Sequence, residues 1–247
     1  MLRRIVLAAF ISGALAGLAL AALQALWVVP LILEAETYEH PAAGAPAGNE
    51  PVSAAHLNSD RSAASSSRDA AATGPAHDRY APPRRMLLTA LADVIVGFAF
   101  ALILVGCMVL RGRPVGMRAG LAWGLAGYMA FVGVPALGLP PELPGMAATA
   151  LGPRQLWWLG AVASTGGGLA LTVFGRGWPL RAAGLVLLAV PHLAGAPHLP
   201  PQATSAGEPP AELASRYVVA TLVTLGVFWL LLGGLAGWSW SRLRPRA

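Results

Sequence analysis

The residues with the clearest capacity for chemistry follow the first long apolar run of the chain. Glu34, Glu36, Glu39 and His40 lie within seven positions of one another, with Tyr38 among them. Carboxylate oxygens and imidazole nitrogens are ligands of divalent transition metals. The cluster therefore predicts a metal-collecting surface where this segment leaves its apolar surroundings.

Two further histidines, His192 and His198, follow another apolar run. They are six residues apart, so an unbroken helix would not align them, but Pro197 is expected to break the helix and let His198 turn back. Imidazole suits cobalt, nickel or zinc. The chain has no HxxxH or CxxC spacing, so convergence has to be inferred between separate segments. The alternative for each histidine is a structural role at a membrane interface.

Two polar side chains occur inside apolar runs. Asp93 lies about two turns into the second run, and Gln24 lies within the first. Polar groups in a membrane are costly and face protein or water rather than lipid. We expect Asp93 and Gln24 to receive a metal ion deeper in the bundle. The alternatives are an Asp93 bonded to a neighbouring hydroxyl group and a Gln24 that simply faces another helix.

The composition indicates that lipid surrounds most of the chain. Of 247 residues, 56% are hydrophobic and 11% are charged, whereas soluble domains carry about 25% charged residues. A spanning helix needs roughly 20 mostly apolar residues. The sequence predicts an all-α, polytopic transmembrane helix bundle of six spans, with five as the alternative because the fifth run is short. The runs are Ile5–Leu33, Met86–Leu110, Ala119–Leu139, Leu156–Phe174, Trp178–Ala196 and Tyr217–Trp238.

Three regions follow from this pattern. Residues 1–33 form a first transmembrane helix, which is too long for the apolar core of about 7–15 residues in a signal peptide. Residues 34–85 are predicted to be an external, largely disordered loop, because Ala, Gly, Pro, Ser and Asn dominate without apolar periodicity. This loop contains His56 and His77. Residues 86–247 are predicted to form about five further helices.

Arginine sets the predicted orientation. The net charge of +6 comes from 17 arginines without any lysine, and basic residues favour the cytoplasmic side of short loops. Six spans with a cytoplasmic N-terminus place ten arginines inside. The same topology places all five histidines and ten of the eleven acidic residues outside. This sorting suggests an outer vestibule for a cation, although acidic residues could also avoid the cytoplasmic flank by default.

Other partners and chemistries are excluded by the same sequence. The arginines are spread between apolar runs rather than gathered in one basic patch, which argues against nucleic-acid binding. Cys107 is the single cysteine, so an internal disulfide and a cysteine-rich metal site are ruled out.

Four stretches of the chain resemble one known family. They are Gln24 with Val29–Glu39, then Leu139–Gly145, Arg154–Trp158 and Pro191–Pro197. Together, in this order, they are similar to the predicted cobalt transporter subunit CbtA of bacterial inner membranes. The resemblance implies cobalt uptake for cobalamin synthesis and a small CbtB-like partner with one span and a histidine-rich end. It also implies five spans, whereas the apolar runs predict six.

The sequence therefore predicts a membrane protein that takes up a divalent metal ion, most simply Co²⁺, with Ni²⁺ and Zn²⁺ as alternatives. No permanently bound cofactor is expected. Glu34, Glu36 and His192 are the expected ligands, joined by His40 and His198, with Tyr38 beside them. One alternative is a non-transporting scaffold for a metal-binding partner subunit. Another is a lipid-modifying membrane enzyme, which is disfavoured because no nucleophile–base motif occurs.

Overall fold

The computed structural model describes residues 1–39, 82–198 and 208–243, and this part of the chain is helical without any strand. The predicted all-helical bundle is confirmed. The first turns of α3, residues 82–88, belong to a unit separate from the bundle. The helices are α1 (Leu2–Leu23), α2 (Val29–Glu39), α3 (Pro82–Leu110), α4 (Met117–Tyr128), α5 (Val134–Ala136), α6 (Leu151–Phe174), α7 (Trp178–Ala194) and α8 (Ala211–Leu243).

Five helical segments among the described residues are long and apolar enough to cross a membrane. They agree with five of the apolar runs. Each begins before its predicted start, whereas the third stops at Ala136, three residues short of the predicted end at Leu139. Helix α7 has 17 residues and is shorter than each of these five segments. The five segments are Leu2–Tyr38, Arg84–Leu110, Met117–Ala136, Leu151–Phe174 and Ala211–Leu243.

Helix α8 is the central helix and packs against both α1 and α4. Its contact with α4 depends on glycine. A Cβ atom on Gly233 would lie 2.5 Å from Cα of Gly124, and one on Gly237 would lie 2.9 Å from Cα of Gly120. Small residues allow transmembrane helices to approach until their backbones touch. On the α1 side, the Ser239 hydroxyl donates to the carbonyl oxygen of Ala8 at 3.3 Å.

Glycine also brings α1 and α3 together, at Gly13 and Gly17, which lie four residues apart on α1. A Cβ atom on Gly13 would lie 2.5 Å from Cα of Phe98, and one on Gly17 would lie 2.5 Å from the backbone oxygen of Asp93. Gly97 on α3 approaches Gly13 from the other side. Each of these glycines is buried, so no larger side chain fits at this crossing.

Two short π-helical segments interrupt the helices on either side of α8. They cover Gln24–Val28 between α1 and α2, and Met129–Gly133 between α4 and α5. Each begins six residues before a proline, Pro30 or Pro135. Proline lacks an N–H group and its ring clashes with the carbonyl group four residues earlier. A widened turn at that position relieves the clash, so each helix continues through its proline.

Helices α6 and α7 form an antiparallel pair. A Cβ atom on Gly184 would lie 2.5 Å from Oγ1 of Thr172 and 2.8 Å from the backbone oxygen of Gly168. Gly177, with φ of 88°, turns the chain between the two helices, and Gly195, with φ of 77°, ends α7. Helix α7 thus returns the chain to the end of the bundle where α8 begins.

Candidate metal-collecting surface

Charge is segregated between the two ends of the bundle. We call them the arginine end and the acidic end. The guanidinium carbon of Arg111, at the end of α3, lies 4.7 Å from the ring centre of Phe174, the last residue of α6. The arginine end holds Arg3, Arg4, Arg111, Arg113, Arg118, Arg176, Arg181 and Arg242, without an acidic residue among those described. The acidic end holds Glu34, Glu36, Glu142, Glu208, Glu212, His192 and His198, with Arg154 and Arg216. Two further arginines, Arg84 and Arg85 at the start of α3, belong to the separate unit.

The carboxylates of the first cluster lie on a helix rather than in a loop. Helix α2 continues to Glu39, six residues past the boundary predicted at Leu33. An α-helix turns about 100° per residue, so Glu34 and Glu36 lie about 200° apart around the axis and do not face one ion together. Glu34 and Tyr38 are exposed, while Glu36 is half-buried.

The length of the first helical segment carries these carboxylates away from the apolar interior. Leu2–Tyr38 spans 37 residues, or about 55 Å at 1.5 Å per residue. The hydrocarbon core of a bilayer is about 30 Å thick. Glu34 and Glu36 therefore lie above the core when the basic start of α1 lies at the opposite interface.

The second candidate cluster is held by tryptophan. The indole Nε1 of Trp157 donates to the backbone oxygen of Pro191 at 3.2 Å, which satisfies a carbonyl group in the last turn of α7. The ring of Trp157 meets the edge of the His192 ring, with 6.3 Å between ring centres. Beyond the helix, the Thr149 hydroxyl donates to the backbone oxygen of Pro197 at 3.4 Å. Gly195, rather than Pro197, ends the helix, and both histidines are exposed.

The segment between α5 and α6, residues 137–150, lies between the two clusters. Its Leu143 packs with Leu31 of α2 and Leu213 of α8, while Thr149 contacts the turn after α7. An ion pair ties the segment to the start of α6, where a guanidinium nitrogen of Arg154 lies 2.6 Å from an oxygen of Glu142. This ion pair was not predicted from the sequence.

The structure does not gather the predicted ligands into one cluster. Among residues 1–39, 82–198 and 208–243, no three His, Cys, Asp or Glu side chains are placed to hold one ion. Helix α2 packs on α8, whereas α7 packs on α6. The Glu34 and His192 groups thus occupy the same end but different helix pairs. His40, with His56 and His77, lies outside the described residues.

Two predicted polar residues lie deeper. Asp93 is at the crossing of α1 and α3 beside Gly17, and its Oδ2 atom is buried without a hydrogen-bond partner among the described residues. Gln24 is half-buried and begins the first π-helical segment. Neither residue contacts the exposed clusters, so they are candidates for a separate, inner position.

An aromatic layer, which sequence reasoning did not predict, fills the bundle interior where α3, α6, α8 and the second π-helical segment meet. The ring of Trp229 lies 5.4 Å from that of Phe131, in stacked orientation, and 4.8 Å from that of Phe100. Trp158 contacts Phe131 at 6.3 Å. These rings pack the interior between the acidic end and the glycine contacts of the arginine end.

The chain was compared with known protein families, curated proteins and solved structures. No curated protein and no solved structure matches it. The family model described as "Probable cobalt transporter subunit (CbtA)" matches residues 2–241, nearly the full chain, as the four resembling stretches predicted. The segments long enough to span a membrane agree with a multi-pass membrane protein, and the chain belongs to this family, CbtA.

Proposed function

We propose that this chain admits Co²⁺ through a bacterial inner membrane and supplies cobalamin synthesis. The five long apolar segments, together with the shorter α7, would be six spans, with the arginine end and the N-terminus in the cytoplasm. The observation that carries the proposal is the charge segregation, since the described carboxylates and imidazoles, Asp93 apart, lie at one end. Membrane potential favours inward movement by about 2.3 kcal/mol per charge per 100 mV, or about twice that for a divalent ion.

The acidic end collects the cation in two steps. Glu34 and Glu36 lie on different faces of α2, so they raise the local cation concentration rather than chelate one ion together. His192, held by Trp157, offers an imidazole nitrogen at a defined position, and His198 and His40 supply further donors. Asp93 and Gln24 form the inner position.

Radiolabelled cobalt uptake at limiting Co²⁺ tests the residues. We expect His192→Ala and Glu36→Ala each to lower uptake several-fold, with recovery at high Co²⁺, because both changes weaken capture. Glu212→Ala is the matched control, an exposed carboxylate at the same end outside the ligand set. The double variant His192→Ala, Glu36→Ala provides the decisive case. If it inserts into the membrane normally and still takes up cobalt at the normal rate, the site assignment is wrong.

The orientation has its own test. In a Cys107→Ala background, a cysteine at Glu212 should react with a membrane-impermeant maleimide in intact cells. A cysteine at Arg113 should react only after the membrane is opened. The reverse pattern would place the arginine end outside and exclude capture at the acidic end.

A second candidate function is a scaffold on which a partner subunit completes the metal site. It is favoured by the absence of a three-ligand cluster among the described residues. The partner would be a small single-span subunit with histidines, of the CbtB type. Titrating the purified chain alone with Co²⁺ separates the two functions, because a scaffold gains metal affinity only after its partner is added.

A further inference from the structure

An open groove runs between the first π-helical segment with α2 on one side and the start of α8 on the other. Its volume is about 660 Å³, which lies within the range of small-molecule sites, about 300–1,000 Å³. Its walls are mostly apolar, and its polar residues are at the acidic end. The lining consists of Leu26, Trp27, Pro30, Leu31, Ser215, Arg216, Val219, Ala220 and Val223.

We propose that this groove binds a phospholipid, with an acyl chain along the apolar walls and the phosphate group against Arg216. The walls are open to the membrane, since Leu26 is 70% exposed and Val219 is 61% exposed. Trp27 is half-exposed beside them, and tryptophan is enriched at the level of the lipid headgroups. The groove thus matches the two parts of a phospholipid, since its apolar walls suit an acyl chain and Arg216, at the acidic end, suits the anionic phosphate group.

Arg216 is the cation available for the phosphate. It is exposed and makes no ion pair within the described residues, although Glu212 lies one turn earlier on α8. Ser215 donates its hydroxyl proton to the backbone oxygen of Glu212 at 2.8 Å, so of these two neighbouring side chains the guanidinium has the donors left for a ligand. Arginine can contact two phosphate oxygens at once, which suits this side chain to a lipid phosphate group.

A helix from another protein fits this groove less well. The contacts between α1 and α3, α4 and α8, and α6 and α7 each bring a glycine against the neighbouring backbone. The groove has no glycine in its lining. Branched and cyclic side chains, Leu26, Pro30, Val219 and Val223, project from its walls. They keep another backbone at a distance but leave room for a flexible chain.

Native mass spectrometry of the full chain, delipidated in detergent, tests the proposal. The probes are phosphatidylglycerol, phosphatidylethanolamine and diacylglycerol with identical acyl chains. We expect one phospholipid to bind per chain. Arg216→Gln should weaken both phospholipids about tenfold, the loss of one charge-assisted hydrogen bond, while Arg216→Lys retains most of the affinity. Arg113→Gln, at the arginine end, is the control. Equal binding of diacylglycerol, or no effect of Arg216→Gln, would overturn the proposal.

A second pair of variants tests the acyl-chain position. Val219→Trp fills the groove and should prevent binding, whereas Val186→Trp, on the similarly exposed face of α7, should not. Phospholipid binding that survives Val219→Trp would contradict the assignment to this groove. In cells, Val219→Cys in a Cys107→Ala background should react with a crosslinker that is carried on a lipid. Efficient crosslinking of the same variant to another membrane protein by a bifunctional thiol reagent would instead show that a helix occupies the groove, and would refute the lipid.

Discussion

Replacing Trp157 with phenylalanine should loosen the turn that carries His192. The substitution removes the indole N–H that donates to the Pro191 backbone oxygen at 3.2 Å. It keeps an aromatic ring for the edge contact with the His192 ring. The carbonyl group of Pro191 then loses its donor in the last turn of α7, and the histidine loses a fixed position.

The expected loss is about 1 kcal/mol. Polar contacts between membrane helices contribute about 0.6 kcal/mol on average and up to about 1.7 kcal/mol. The unpaired carbonyl group puts this contact towards the upper part of that range. A change of 1 kcal/mol corresponds to about fivefold in an equilibrium constant. If His192 captures the ion, the KM of the Trp157→Phe variant for Co²⁺ uptake should therefore be about fivefold higher than that of the unchanged chain.

Thermal unfolding in detergent and cobalt uptake measure the two effects. Trp158→Phe is the matched control, because Trp158 is adjacent, half-buried and packed on Phe131 at 6.3 Å. Trp157→Phe should be the less stable of the two variants. In a His192→Ala background it should leave the KM unchanged, since the histidine it positions is gone. Equal stability of the two variants, or fully additive effects on the KM, would refute the reasoning.

Three further predictions concern packing and charge. Gly233→Leu should prevent folding of the bundle, because even a Cβ atom at this position would meet the backbone of α4. Gly160→Leu is the control, since Gly160 has open space around it, and this variant should elute as a single folded species in size-exclusion chromatography. Glu142→Arg should lower the unfolding temperature, and Arg154→Glu in the same chain should restore it, if their ion pair orders the segment before α6; no recovery would show that the pair contributes nothing. Asp93→Asn should preserve insertion but slow cobalt uptake at saturating Co²⁺, and an unchanged maximal rate would remove the inner position.

The helices were predictable because apolar length alone identifies them, and the described spans agree with the predicted runs. Their ends were less predictable. The polarity of Glu34 and Glu36 suggested a loop, but α2 continues through both residues. A helix that leaves the membrane still satisfies its own backbone hydrogen bonds, so it has no need to end at the interface. The helix period also explains why these two glutamates face apart, a consequence that their spacing already implied.

The neighbours of each helix could not be read from the sequence. Small residues four apart, such as Gly13 and Gly17, are typical of a close helix contact, but this spacing does not identify α3 as the partner. The positions of His192 and Glu34 on different helix pairs depend on this arrangement. The π-helical segments were also missed, although the prolines at 30 and 135 inside apolar runs were a usable signal, since a continuous helix must accommodate each ring.

The glycine contacts between α4 and α8 make one end of the bundle more rigid than the other. Where main chain touches main chain, no rotamer change can create space, so the half near Arg118 behaves as a fixed frame. Beyond the widened turns, the helices meet through side chains such as Leu31 and Leu143, which can repack. Amide hydrogen exchange should therefore be slowest at Gly120 and Gly233, and any opening that lets an ion enter would begin at the opposite extremity.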